Sequence, residues 1–286
     1  MRRCLRILPW FACNLDCSFC FYRHMNKADS LEIYDLARVM KHLPGIDDHP
    51  IEVLFTGGEP MLNPSRLVDY LAIISDHADV SSLALCSNGT IPFTDFMSRV
   101  SSSVGCRTAI LTIDTWGSSS QRRKGKAAVV GSEAMALVPA HRDFQVGIVT
   151  PLHPSLDFDS YRAIVEHALE KGIAYFEINL IKGLHYRDEL AVAQFLSSAL
   201  DLFLPMPSIR LCGDWLSVFE SGRVLCKRNE GSEVRYVVFP NGRTATCELD
   251  CSAESPADTQ DDGCRYANPQ AVSICSLVKK LRRGLA

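Results

Sequence analysis

"CLRILPWFACNLDCSFCFY" (residues 4–22) runs from a short apolar, strand-like stretch directly into three cysteines, Cys13, Cys17 and Cys20, spaced C-x3-C-x2-C and trailed by aromatics. A closed structural zinc site needs four protein ligands, as does an iron–sulfur cluster whose every iron is held by protein. Three cysteines on one short loop hold three irons of a [4Fe-4S] cube and leave the fourth with an open position, where a ligand or substrate binds. His24 follows Cys20 at a spacing that would complete a zinc knuckle instead, so the triplet alone leaves both metals open.

Outward from this loop, short β-branched apolar runs alternate with amphipathic stretches. Strands are predicted at 4–10, 51–57, 83–89, 108–114, 144–150 and 175–181. Residues 30–43 carry Ile33, Leu36, Met40 and Leu43 down one helical face behind Ser30 as the expected cap. Further helices are predicted over 64–78, 94–103, 133–141 and 159–172, with 187–203 after the last strand. Six such units with short connections predict parallel strands joined by right-handed crossovers, an α/β arrangement over residues 1–205.

At 286 residues, 47% hydrophobic and 22% charged, the chain is long enough for one large domain and a smaller one. A net charge of −3 over balanced acids and bases gives no general attraction to nucleic acid or to an anionic membrane, so neither partner is expected. Arg6 and Pro9 interrupt the apolar N-terminal run, which argues against a secretory signal, and no stretch approaches the roughly 18 apolar residues of a membrane span. A cytoplasmic protein is expected. In that setting twelve cysteines point to metal or redox chemistry. Three lie at the front and six between 212 and 275, while Cys4, Cys86 and Cys106 read as small buried apolar residues.

"FTGGEP" (55–60) closes the second predicted strand and "CSNGT" (86–90) the third. Adjacent glycines allow a backbone to come close to a ligand, Glu59 can pair with an ammonium, and Ser87 and Asn88 carry groups suited to a ribose or carboxylate. With the cysteine loop, these segments resemble the radical S-adenosylmethionine (SAM) superfamily, whose signature is C-x3-C-x-aromatic-C, Phe19 being the aromatic, and whose GGEP motif falls on Gly57, Gly58, Glu59 and Pro60. "LTIDT" (111–115) matches the family's fourth-strand "SIDG" in part and offers Asp114.

The resemblance implies a partial (β/α)6 barrel in which Cys13, Cys17 and Cys20 hold a [4Fe-4S] cluster whose open iron binds the amino and carboxylate groups of SAM. It implies that Gly57, Gly58 and Glu59 hold the methionine amino group, and that Phe19, Pro60, Ser87, Asn88 and Asp114 belong to the cofactor site. An electron, delivered by a reducing partner such as flavodoxin or ferredoxin, then cleaves SAM to methionine and a 5′-deoxyadenosyl radical that takes hydrogen from substrate.

After "LPMPS" (204–208) the chain becomes cysteine-rich, and "VRYVVFP" (234–240) and "RTATCEL" (243–249) flank Asn241-Gly242 as a hairpin. Cys226, Gly242 and Cys247 are similar to the C-x(9–15)-G-x4-C opening of SPASM and twitch modules. This implies a small C-terminal module over residues 206–286 with an auxiliary [4Fe-4S] cluster, Cys264 and Cys275 being its remaining ligands and Cys251 and Cys212 their substitutes. A zinc site on the same thiolates is the alternative.

Peptide-modifying members often begin with a leader-recognition domain, whereas twelve residues precede Cys13, so a small-molecule substrate is expected. Glu248, Asp250, Glu254, Asp258, Asp261 and Asp262 lie between Cys247 and Cys264 with no basic residue. They form either a solvated loop or a lure for a cationic substrate. The expected reaction is hydrogen abstraction from a small polyhydroxylated or amino-sugar molecule. Epimerisation, resembling aminoglycoside-modifying radical SAM epimerases, would use Cys251 to return hydrogen. A twitch-type alcohol dehydrogenase, a peptide-modifying enzyme and a non-catalytic metal-binding regulator are the alternatives.

Overall fold

All six predicted strands form, each within three residues of its expected ends. The computed structural model describes residues 2–46, 49–100, 104, 106–113, 123–124, 127–128, 131–136, 138, 144–182, 184–221, 233–247 and 268–284. Asp114, Cys226, Cys251 and Cys264 lie outside the described residues. The barrel strands are β1 (Arg2–Ile7), β2 (Ile51–Phe55), β3 (Val80–Ser87), β4 (Cys106–Thr112), β7 (Gln145–Leu152) and β8 (Tyr175–Leu180), with the short pair β5 (Arg123–Lys124) and β6 (Ala127–Ala128) forming a separate ribbon. The helices between and after them are α1 (Ile33–His42), α2 (Pro64–Ser75), α3 (Thr94–Arg99), α4 (Gly131–Ala136), α5 (Phe158–Glu170) and α6 (Glu189–Phe203).

The six barrel strands lie side by side in chain order, all parallel. A chain that adds each strand on the same side through right-handed crossovers places the intervening helices on one face of the sheet. The other face is left for a lumen. The strands record this two-sidedness: Phe176, Ile178 and Leu180 of β8 are buried, and Phe176 meets Phe203 of α6 with ring centroids 5.2 Å apart, while Tyr175, Glu177 and Asn179 between them are only half-buried. Each large side chain fully buried on the helix side contributes about 1.5–3 kcal/mol.

Helix starts are set by local chemistry. Asn63, Asp157 and Asp188 cap α2, α5 and α6 through side chains that accept from Arg66 N, Ser160 N and Ala191 N. The bonds from Ser160 also hold the Asp157 carboxyl below its ordinary range. The cap expected at Ser30 does not form. Ser30 instead makes a bridge with Trp10, Leu31 N donates to Pro9 O, and α1 begins after Glu32, whose side chain makes no capping bond. Cys4 is buried as expected, but Cys106, the first residue of β4, is exposed.

Beyond residue 205 the structure adds β9 (Arg210–Cys212), α7 (Asp214–Ser221), the hairpin β10 (Glu233–Val238) and β11 (Thr244–Ala245), and α8 (Ala271–Arg282). The hairpin forms as predicted, with Gly242 at φ 73°, a left-handed turn position that suits glycine. It continues the main sheet: β10 pairs in parallel with β1 from Arg2↔Glu233 to Ile7↔Val238, while β9 pairs with β8 at the opposite edge. Val237 and Phe239 pack with Leu8 and Phe11, and Tyr22, Met25 and Ala245 close around them, so the hairpin backs the cysteine loop. No described helix is long and apolar enough to cross a membrane.

Candidate active site

The cysteine loop leaves β1 and is sewn to the loop after β2. Thr56 N donates to Ile7 O (3.0 Å), Gly58 N to Trp10 O (3.0 Å) and Glu59 N to Ala12 O (2.9 Å), and the Trp10 indole donates to Glu59 O at 2.8 Å. The two chains approach so closely at Gly58 that a Cβ there would lie 2.0 Å from Ala12 O. The glycine pair therefore packs loop on loop, and Gly57 and Gly58 also line a pocket with Cys13, Cys17, Phe19 and Cys20. Ser87, Asn88, Cys86, Thr56 and Thr112 supply its other wall.

Glu59 takes a different place from the one expected. Its side chain is fully buried and does not line the pocket. Oε1 accepts from Met61 N (2.9 Å) and Ser87 Oγ (3.1 Å), and Oε2 from Asn88 N (2.7 Å). The carboxylate ties the end of β2 to the end of β3, and Pro60 begins a short 3-10 turn on it. Glu59→Ala strands these buried donors at about 1–3 kcal/mol each, so its thermal midpoint should fall by about 10 °C. Thermal unfolding checks this; a midpoint within about 2 °C of wild type would show that the carboxylate is not the tie described.

Asn88 serves the cysteine loop as well as the pocket. Its Nδ2 donates to Asn14 Oδ1 at 2.8 Å and reaches Cys13 Sγ at 3.6 Å, its Oδ1 accepts from Thr90, and Asn14 Nδ2 donates to Thr90 Oγ1 at 2.7 Å. Leu15 N also donates to Cys13 Sγ, at 3.4 Å. Burial pushes the Cys13 and Cys20 thiols above their ordinary value, partly offset by backbone N–H donors from Leu15 and Tyr22. Soft thiolates with N–H donors aimed at sulfur are the setting an iron–sulfur cluster takes. Among the described residues no three His, Cys, Asp or Glu side chains group as a single bound ion needs. The three cysteines are spread around one pocket instead, which suits a cube with a different iron on each thiolate. His24, the fourth ligand of the zinc alternative, is exposed.

The remaining expected ligands among the described residues stand on or next to three different elements. Cys247 is half-buried just after β11. Cys275 is buried on the core side of α8, its thiol 3.3 Å from Trp215 O and pushed up to about 11 by burial. Cys212 ends β9, half-buried on the lumen side beside Glu177. Sequence reasoning missed Asn14, Thr56, Thr112 and Cys86 as pocket and loop-anchoring residues. Strand alternation was the available signal for Cys86, since it lies on the face opposite to the buried Leu85 and Ser87.

Among curated protein sequences none matches this chain. The fold is similar to that of SuiB from Streptococcus suis bound to S-adenosylmethionine, with a TM-score of 0.66 at 15% identity over 96% of this chain and 68% of that one. It is also similar to anSMEcpe with bound AdoMet, with a TM-score of 0.65 at 17% identity over 86% of this chain and 75% of that one. SuiB has also been solved bound to the precursor peptide SuiA, and anSMEcpe with the Cp18Cys peptide. Residues 7–196 match the family model of the Radical SAM superfamily, the span that carries the cysteine loop, the glycine pair and all the lumen strands from β2 to β8. With the thiols, the sewn loops and that match in agreement, this chain belongs to the radical SAM superfamily.

Proposed function

We propose that the chain uses a 5′-deoxyadenosyl radical to take hydrogen from a carbon of a small polyhydroxylated or amino-sugar substrate and inverts that carbon. Cys13, Cys17 and Cys20 would hold the catalytic [4Fe-4S] cluster, with Phe19, Gly57, Gly58, Ser87 and Asn88 around SAM and Asp114 as a further contact to SAM or substrate. When bound and reduced by a flavodoxin- or ferredoxin-like donor, the cluster supplies the electron that splits SAM. Cys226, Cys247 and Cys264, with Cys275 or its substitute Cys212, would hold an auxiliary cluster.

The observation that carries this reading is that the three-cysteine loop, the glycine pair and a thiol-bearing strand end share one pocket. The chain's own part is to orient the substrate, exclude water and return a hydrogen atom. An S–H bond is weaker than the C–H bond of an alcohol-bearing carbon, so a thiol quenches a carbon radical downhill, and its proton exchanges with solvent; the sulfur radical left behind would be restored to the thiol by one electron from the reducing partner and one proton from water. Cys251 is assigned that role. In D2O the inverted product should carry one solvent deuterium, and Cys251→Ala should still cleave SAM yet lose the inverted product; mass spectrometry of product and 5′-deoxyadenosine checks both. A ketone without solvent deuterium would identify a dehydrogenase instead. Peptide modification is the second reading, favoured by the fold likeness to SuiB and anSMEcpe, both solved with peptides. It predicts turnover on a peptide and none on amino-sugars.

A further inference from the structure

The inner face of the last barrel strand carries polar side chains that the cofactor pocket does not use. Tyr175, Glu177 and Asn179 face away from α6, and Glu177 is the hub. Tyr175 Oη donates to its Oε2 at 2.9 Å, and Asn179 Nδ2 to its Oε1 at 2.7 Å. Burial, with the Glu177 and Cys212 side chains alongside, raises the Tyr175 phenol above its ordinary value, so it stays protonated and remains a donor. Gly147 on β7 makes room for the ring: a Cβ there would lie 2.5 Å from Tyr175 Cδ1.

Two features of this group are unfinished. Among the described residues Glu177 takes part in no ion pair. Asn179 Oδ1 is buried and has no hydrogen-bond partner among them. On the β7 side Gly147, Val149 and Pro151, in register with Tyr175, Glu177 and Asn179, offer no polar side chain, and on the β9 side Arg210 and Cys212 are in register with Tyr175 and Glu177, with no β9 residue paired to Asn179. A buried acceptor left without a donor is unfavourable, and a bound ligand that donates to it would recover that cost. The group is also within reach of the chemistry. Thr112 lines the cofactor pocket and is in register with Val149, which is in register with Glu177, so two strand spacings of about 4.8 Å separate them.

We infer that Tyr175, Glu177 and Asn179 form a substrate subsite for a protonated amine with a neighbouring hydroxyl. The ammonium donates to the Glu177 carboxylate, and the hydroxyl donates to Asn179 Oδ1. Tyr175 and the Asn179 amide hold the carboxylate in place. The inference rests on the reading of the substrate as an amino-sugar and names the part of the lumen wall that recognises it.

The test is a titration of SAM-loaded holoenzyme by saturation-transfer NMR with three probes: D-glucosamine, its neutral N-acetyl derivative, and butylamine, which has the charge without the hydroxyl. Glucosamine should bind about tenfold more tightly than N-acetylglucosamine, and Glu177→Gln should lower its affinity about ten- to a hundredfold with SAM affinity unchanged. Asn179→Ala should weaken glucosamine about fivefold more than it weakens butylamine, because only the sugar loses its hydroxyl's acceptor while both lose the amide that steadies Glu177; it carries the test if Glu177→Gln does not fold. The inference is overturned if no probe binds, if the charged and neutral sugars bind alike, if Glu177→Gln binds glucosamine as wild type does, or if that variant loses SAM in parallel. Failure of the epimerase reading would look different, as product without solvent deuterium while the probes still discriminate.

Discussion

The Cys13/Cys17/Cys20→Ala variant, reconstituted anaerobically, should hold about four irons where the wild-type protein holds about eight, and its 5′-deoxyadenosine formation should fall to background. The drop follows from the loop alone. The three thiols line one pocket, and Cys13 receives N–H donors from Leu15 and Asn88. The four irons that remain are those of the proposed auxiliary cluster. Zinc in place of that second quota would sink the auxiliary-cluster proposal, and full iron in the triple variant would sink the assignment of the loop. Iron and zinc quantitation decides both.

Gly58→Ala is expected to be nearly as damaging, although it removes no functional group. The added methyl would meet Ala12 O at 2.0 Å, a backbone atom that cannot turn aside as a flexible side chain would. Relief requires parting the cysteine loop from the loop after β2, which breaks the bonds from Gly58 N to Trp10 O and from Glu59 N to Ala12 O. Overpacking costs about 1–3 kcal/mol even where side chains can adjust, and here backbone must move, so the thermal midpoint should fall by about 5–10 °C. Cluster loading should fall with it, because the displaced strand carries Cys13. Gly58→Ser should fail in the same way, since the clash begins at Cβ. A variant with full iron and an unchanged midpoint would refute the close approach.

The barrel was readable because each of its strands carries its own signal. An apolar, β-branched run bounded by turn residues identifies β2, β3, β4, β7 and β8 without knowledge of their partners, and chain-order pairing follows from short crossovers. What escaped depends on partners far away in sequence. The hairpin around Gly242 was visible locally, but nothing in "VRYVVFP" says that it lies beside β1. Ser30 looks like a helix cap until Trp10 pairs with it. No helix was expected after 187–203, yet Ile274, Cys275 and Val278 form the buried stripe of α8, its lysines and arginine gathered at the last turn.

The site divides along the same line. The cysteine spacing and the glycine pair are short-range patterns, visible without knowledge of the fold, and their residues line one pocket. The use of Glu59 was not visible in that way, because a carboxylate followed by proline has the same appearance whether it meets a ligand's ammonium or three donors from Met61, Ser87 and Asn88. Glu177 and Asn179 were overlooked for a related reason: "YFEINLI" announces a strand, and only its register against Gly147, Val149 and Pro151 reveals an acceptor without a donor.

The pairing of β1 with β10 also bears on how the molecule is made. Arg2 finds its partner Glu233 about 230 positions downstream, so a strand synthesised among the first is among the last to gain its second neighbour. Closing so long a loop is slow in relation to the local crossovers that join β2 to β8. Until it closes, β1 is an open edge leading straight into three reactive thiols, a template for unwanted pairing and for mistimed metal capture. The cysteine loop thus gains its full support only when the C-terminal hairpin has arrived and Val237 and Phe239 rest on Leu8 and Phe11.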